Sequence, residues 1–298
     1  MRSPQFIKYI ISLLLFGSNG VWVAAIALSS QEIVFFRLLF GALSLLAIFA
    51  ITRTRITFHH YKKDFFYLAL SGCAQGVLFL FLFKAYQLIG VSLASLAYYC
   101  GPVIVMVLSP LIFGEKLTRG KVTGFLVVLL GVALVNGQAA LEGKSILGLV
   151  CAGLASFMYA ALVIATKKNE NIHGLENPTI QLVFSLLTVG LYLACTQGFA
   201  IQVQPGDRLP ILILGLANTG LGCYLYYTAI GQLPAQQVAL FGYLEPLSSV
   251  FYSAFLLPET LAPIQIFGGL LIVGGALFGE LYTGKKPTDE TPRPCRGR

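Results

Sequence analysis

Glu245 lies about eleven residues into the apolar run 234–256. At ~1.5 Å per helical residue it sits ~16 Å deep, close to the centre of a ~30 Å hydrocarbon layer. No side chain snorkels from that depth, so its carboxyl must be protonated, paired or in water. Two roles fit: a group that acts in transport, or one held in a buried structural hydrogen bond. Gly242, Ser249 and Tyr252 share its helical face. Tyr243 lies on another face, and the bend expected at Pro246 leaves open which of the two sees a cavity.

Other polar residues accompany it inside apolar runs. Arg37 falls about a turn and a half from the outer end of the run 32–51, roughly 8 Å deep, where it either snorkels or faces an aqueous cavity. Lys84, at the outer end of the run 65–86, has the same two readings, and Gln75 lies deeper in that run. Ser92, Ser95, Tyr99 and Pro102 follow at spacings of three, four and three, which puts them on one helical face. Pro102 strips the carbonyl of Tyr98 of its helical donor and bends the helix. In lipid such a carbonyl needs a partner or a wet cavity, so this face is expected to point at the bundle centre.

The first run holds Gly17-Ser18-Asn19-Gly20 and then Trp22, the only tryptophan. That polar notch serves either close helix contact or a cavity lining. Tyr159 lies in the sixth run, and Asn218-Thr219-Gly220 with Tyr224, Tyr226 and Tyr227 in the eighth. Gln236, Tyr243 and Pro246 in the ninth repeat the bent face of the fourth. The candidate solute-binding residues are thus Asn19, Trp22, Arg37, Gln75, Lys84, Ser95, Tyr99, Tyr159, Asn218, Tyr224, Tyr243 and Glu245, with Pro102 and Pro246 as helix kinks.

Long apolar elements must carry these residues. The chain has 298 residues, 57% hydrophobic and 11% charged, with a mean hydropathy of +0.81. A soluble domain carries about 25% charged residues. Ten blocks are each long enough to cross as a helix: 8–28, 32–51, 65–86, 91–113, 121–138, 145–166, 178–196, 210–230, 234–256 and 263–283. A barrel strand needs only ~10 residues in strict alternation, so the expected fold is an all-α integral membrane protein.

The net charge of +8 follows the same pattern. With the N-terminus in the cytoplasm, the inside links hold Arg53, Arg55, Lys62, Lys63, Lys116, Arg119, Lys121, Lys167 and Lys168. Outside links hold only Lys144 and Arg208, so the positive-inside rule places both termini in the cytoplasm. The basic balance reports orientation, and no nucleic-acid partner is expected. Six cysteines are scattered with no CxxC pair or metal-ligand spacing, so reduced packing cysteines and no metal site are expected. Ala25-Ile26-Ala27 imitates a signal cleavage site, but cleavage would remove a span and unbalance the halves. The segment 284–298 has the composition of a disordered cytoplasmic tail.

The chain repeats itself. Ala85–Leu134 lies on Ala229–Phe278 at an offset of 144 without a gap, pairing Tyr99 with Tyr243, Pro102 with Pro246, Glu115 with Glu259, Gly124 with Gly268 and Gly131 with Gly275. Self-similarity over that distance is a statement about the fold. The halves are 1–138 and 145–283, five helices each. An odd number of spans per half makes the repeats inverted, and carriers built that way bind solute near midplane where the halves meet. At two charged positions the halves differ: Gly101 stands opposite Glu245, and Gln181 opposite Arg37. The glycine-rich fifth and tenth runs are expected to pack the halves, or two copies of the protein, together. Thr118 is placed to cap the fifth, and Glu115 to act structurally at the membrane edge.

Several stretches carry a resemblance to the EamA branch of the drug/metabolite transporter superfamily. They are Phe36-Arg37-Leu38, Ala85–Leu88 leading to Gly101-Pro102, Gly114-Glu115-Lys116-Leu117, Tyr243-Leu244-Glu245-Pro246 and Pro258-Glu259-Thr260-Leu261. The resemblance covers essentially the whole chain apart from the tail. It implies a solute cavity between the halves, alternating access, and commonly export of amino acids or other metabolites, by proton coupling or facilitated diffusion. The first span lacks the embedded acid through which the four-helix multidrug relatives couple to protons, which counts against drug/proton antiport unless Glu245 substitutes.

The function expected is secondary transport of a small metabolite, amino-acid export foremost, across the cytoplasmic membrane. Tyrosine and tryptophan suit an aromatic or amphipathic solute. Arg37, Lys84 and Glu245 would hold a zwitterion if the fold brings them together. Uptake or exchange of an organic anion such as a sugar phosphate is the alternative, and needs several converging cations where two are available. A membrane enzyme or structural membrane protein is a third reading. No HExxH, GxSxG or phosphate-binding loop occurs and all three histidines lie in links, so no enzyme activity and no cofactor are expected. The expected partners are the solute, protons if coupled, and the lipid bilayer.

Overall fold

The computed structural model describes residues 4–53, 56–89, 94, 97–136, 145–199, 201–256 and 263–283. Every regular element among them is helical. The first run is α1 (Pro4–Gly17) and α2 (Asn19–Ala24), interrupted at Ser18. Then come α3 (Ser30–Ile51), α4 (Lys62–Ile89), α5 (Cys100–Phe113) and α6 (Arg119–Asn136). The second half opens with α7 (Ile146–Lys167), α8 (Glu176–Thr196) and α9 (Arg208–Ile213). A π-helical segment, Leu214–Leu221, joins α9 to α10 (Gly222–Ile230). The chain ends in α11 (Ala235–Phe241), α12 (Leu244–Leu256) and α13 (Pro263–Thr283).

Among the described residues, six helical stretches are long and apolar enough to cross a membrane: Pro4–Ala24, Ser30–Ile51, Lys62–Ile89, Ile146–Lys167, Glu176–Thr196 and Pro205–Ile230. Shorter apolar stretches lie at Gly101–Phe113 and Ile266–Gly279. The outside is apolar as well: Ile51, Leu111 and Phe255 are each more than four-fifths exposed. An exterior of that kind is stable against lipid tails rather than water.

Local chemistry starts the helices where the sequence allows. Ser29 and Glu32 form a reciprocal capping box that opens α3. Thr118 Oγ1 accepts from the Lys121 N–H at 3.3 Å, the cap expected for α6. The two prolines do something other than bend continuous helices. Pro102 and Pro246 are each the third residue of a new helix, after interruptions at Tyr99 and at Gly242–Tyr243. In a first turn the missing N–H costs nothing, because that donor has no intrahelical acceptor. The Tyr98 carbonyl takes a bond from Ser156 Oγ at 3.2 Å, and the Gly242 carbonyl one from the Glu245 N–H at 3.2 Å.

The halves interleave. Helix α1 packs on α10 and α12 of the second half, and α7 packs on α4 and α5 of the first. The longest seam joins α6 to α13. A Cβ on Gly124 would lie 2.5 Å from the Gly275 carbonyl oxygen, and one on Gly131 would lie 2.5 Å from that of Gly268. Only glycine lets two backbones approach so closely. As one partner advances the other recedes, so the two helices run antiparallel. Adding the repeat offset turns the first contact into the second. Tyr243, whose hydroxyl donates to the Tyr99 carbonyl at 2.6 Å, touches its own repeat mate. Contacts that exchange around a residue pair that meets itself are the signature of a two-fold relation. The glycine seam therefore packs the halves of a single chain.

Candidate functional site

Three irregular stretches of backbone meet inside the bundle. At the end of α1, a Cβ on Gly17 would collide with the Ser248 side chain and lie 3.0 Å from the Glu245 carbonyl oxygen. The interruption in the first run thus abuts the start of α12. The π segment faces the same interruption: Asn218 Nδ2 lies 2.8 Å from Ser18 Oγ, 2.9 Å from Asn19 Oδ1 and 3.0 Å from the Leu15 carbonyl. Next along, Thr219 Oγ1 donates to the Leu214 carbonyl at 2.8 Å and accepts from Arg37 Nε at 3.1 Å. The wider π turn lets two adjacent side chains serve different partners, a device frequent at functional sites. Irregular backbone persists in a membrane protein only where protein or a wet cavity satisfies it.

Glu245 is the second residue of α12 and is partly exposed despite its deep position. Among the described residues its carboxylate has neither a hydrogen-bond nor an ion-pair partner. Arg37 is only 8% exposed, so it does not snorkel outward. Its Nε is held by Thr219 and its guanidinium lies 5.1 Å from the centre of the Phe79 ring. Arg37 and Glu245 stand beyond the 4.0 Å of an ion pair, yet near enough for their charges to act on one another.

A cluster of aromatic residues includes two tyrosines near Glu245. Tyr9 is fully buried, its hydroxyl donates to the Val238 carbonyl at 2.7 Å, and its ring lies 5.7 Å from that of Tyr226. Phe16 stands 5.6 Å from Tyr226 on another side, and the Tyr226 hydroxyl reaches that of Tyr159 at 3.5 Å. Tyr9 and Tyr159 both lie within electrostatic range of Glu245. Among the described residues, the buried polar atoms without partners include Gln75 Oε1, Ser185 Oγ and the Tyr227 hydroxyl. Tyr227 is within electrostatic range of Arg37.

Of the residues singled out from sequence, Asn19, Arg37, Asn218 and Glu245 border these irregular stretches, Tyr159 lies within electrostatic range of Glu245, and Gln75 lies beside Cys223, itself within range of Arg37. Tyr243 is buried and its hydroxyl is committed to the half-buried Tyr99, so this pair ties the halves together. Trp22 belongs to a separate apolar cluster with Ile26, Ile33, Ile211 and Leu214. Lys84 is exposed and is not brought into the group. Tyr224 lines a lateral groove of 610 Å³ with Ser44, Leu45, Ile48 and Thr52. Ser95 lies outside the described residues. The structure adds Tyr9, Tyr226 and Tyr227. Tyr226 falls seven residues after Thr219, two helical turns on, and that spacing favours it over Tyr224.

One end of the bundle is cross-tied. The Glu115 carboxylate accepts from the backbone N–H groups of Ala235 at 2.6 Å and Gln236 at 3.1 Å. The Gln236 side chain donates to Ser109 Oγ at 3.1 Å and accepts from Lys121 Nζ at 2.6 Å, and Lys167 donates to the Leu233 carbonyl. Nearby, Glu176 accepts from the backbone of Thr57 at 2.9 Å and of Phe58 at 2.8 Å. Both carboxylates work as backbone clamps between the halves.

A sequence profile of the EamA-like transporter family matches residues 6–137 and again residues 146–279. The chain belongs to the EamA-like transporter family. It is therefore a member of the drug/metabolite transporter superfamily, with one matched stretch for each half of the repeat. This EamA-family chain is 26% identical over 281 residues to the uncharacterized transporter YxxF of Bacillus subtilis, across 91% of this chain and 89% of that protein. It is 29% identical over 212 residues to a probable amino-acid metabolite efflux pump of Salmonella typhimurium, across 66% of this chain and 70% of that one. A protein of known crystal structure shares the fold with a TM-score of 0.80 at 18% identity, covering 95% of this chain and all of that one. The chain is a multi-pass membrane protein, and its family is one of transporters rather than enzymes.

Proposed function

We propose that this protein is a secondary transporter that exports a small polar metabolite, an amino acid foremost, across the cell membrane by alternating access. The reading takes ten spans as two inverted five-helix repeats with both termini in the cytoplasm. The solute chamber lies at midplane, bounded by Asn19, Arg37, Gln75, Tyr159, Asn218 and Glu245. The observation that carries the reading is the unpaired Glu245 carboxylate where the interruptions of α1, α12 and the π segment meet. An intramembrane acid without a protein partner is costly unless a solute, a proton or water occupies it.

Other observations support the same reading. Antiparallel glycine contacts that exchange under the repeat offset fit inverted halves. The clamps made by Glu115 and Glu176 lie beside the basic links, the side that the positive-inside rule assigns to the cytoplasm. Opening toward the cytoplasm then requires releasing them. The relative named as an amino-acid metabolite efflux pump favours amino acids as the solute class. No ATP-hydrolysing motif is present in the sequence, so a gradient drives the cycle, and Glu245 is the group placed to exchange a proton.

The test is counterflow of labelled amino acids by the purified protein in liposomes. Saturable exchange of one amino acid or a small group of them is expected. Exchange of an organic phosphate with no exchange of any amino acid would instead establish the anion reading.

A further inference from the structure

Resting on that transport reading, we propose that the chamber recognises both poles of a zwitterion, Glu245 taking the ammonium group and Arg37 the carboxylate of one free α-amino acid. Both charges are held ready and neither is paired. Arg37 commits Nε to Thr219, and among the described residues its terminal nitrogens have no acceptor. A guanidinium carries five donors, so most of its capacity is unspent. A direct bridge between Arg37 and Glu245 would satisfy both, but the fold keeps them beyond ion-pair distance, on separate supports.

A solute lying between them would have to span the gap that keeps them from pairing. An α-amino acid holds its nitrogen ~3 Å from its carboxylate oxygens. A charge-assisted hydrogen bond of ~2.8 Å at each end allows a gap of up to roughly 9 Å. The surroundings divide in the same sense. Glu245 has Tyr9 and Tyr159 within electrostatic range, and aromatic rings favour a cation beside them. Arg37 has the Tyr227 hydroxyl near it, a buried donor without a partner and suited to a carboxylate oxygen. Because Lys84 is exposed, Arg37 is the one cation and Glu245 the one anion assigned to the chamber among the described residues. A solute with only an amine leaves Arg37 unmatched, and one with only an acid leaves Glu245 unmatched. Sites that bury such groups discriminate strongly against a solute missing one of them.

The test uses the full-length protein in liposomes exchanging labelled L-leucine and L-phenylalanine. Competitors are each amino acid, its methyl ester (ammonium only) and its N-acetyl derivative (carboxylate only). The free amino acid should compete at least ~10-fold better than either derivative. Glu245→Gln should abolish the preference over the N-acetyl form while leaving the preference over the ester. Arg37→Gln should do the reverse, and Arg37→Lys should keep part of the wild-type preference. Melting-temperature shifts with the same compounds give the answer for a variant that binds without moving solute. A derivative that competes as well as its parent, or variants that lose both preferences alike, would overturn the zwitterion assignment while leaving the transporter reading intact. Failure of every amino acid to exchange or bind, with the protein folded, removes the amino-acid reading itself and this inference with it.

Discussion

In α5 the second residue of the restarted helix is Gly101; at the repeat-related place in α12 it is Glu245. A Cβ on Gly101 would lie 2.9 Å from the Tyr159 ring and 3.2 Å from the Ser156 carbonyl, so the first-half position is already filled. Glu245 is partly exposed and unpaired. The second mismatched pair behaves the same way. Gln181 is fully buried, accepts from Thr166 at 3.0 Å and from Ser71, and donates to Asn177 at 2.5 Å. Arg37 has one such bond. The seam is shared by the two halves, and each half carries a charged residue that its mate lacks, Arg37 in the first and Glu245 in the second. Among the described residues, a repeated scaffold thus carries unlike residues at these repeat-related positions.

The largest effect is expected at the seam, where the halves are alike. Gly124→Leu and Gly131→Leu each force a side chain against backbone and should cost ~1–3 kcal/mol or more, read as a lower melting temperature in detergent. The two losses should be similar, and a large inequality would break the two-fold comparison. Next comes the mismatched pair itself. Gly101→Glu copies the acid into the filled half and should destabilise by ~1–3 kcal/mol without raising counterflow. A stable variant with a second functional acid would show that the halves differ less than described.

A smaller effect is expected at the clamp. Glu115→Gln weakens two charge-assisted bonds to the α11 backbone and should cost ~1–2 kcal/mol, measured by thermal unfolding, with exchange retained. The smallest belongs to Tyr224→Phe, which lines the lateral groove and should stay within ~0.5 kcal/mol with unchanged counterflow. A marked transport defect there would move the solute path out of the chamber.

Much of this was legible in sequence because it rests on periodicity and depth. Apolar run length set the helices, the offset of 144 set the repeat, and the depths of Glu245 and Arg37 marked them as out of place. What escaped depends on distant partners. Tyr9 bonds to a carbonyl 229 residues away, and no local pattern carries that information. Lys84 and Arg37 read alike as cations near helix ends, and only packing separates the exposed one from the buried one. Trp22 sits one turn beyond the Gly17-Ser18 notch, and that turn carries it into the Ile26 cluster. Sequence shows the donor lost at each proline but not the helix restarting two residues earlier, so it points to bends where the helices begin anew.

The most direct measurement is counterflow by Glu245→Gln beside the wild type, at matched melting temperature and across pH. The account predicts a loss of at least ~10-fold, about 1.4 kcal/mol in the transport barrier. Exchange unchanged at every pH would contradict it and return Glu245 to a structural role.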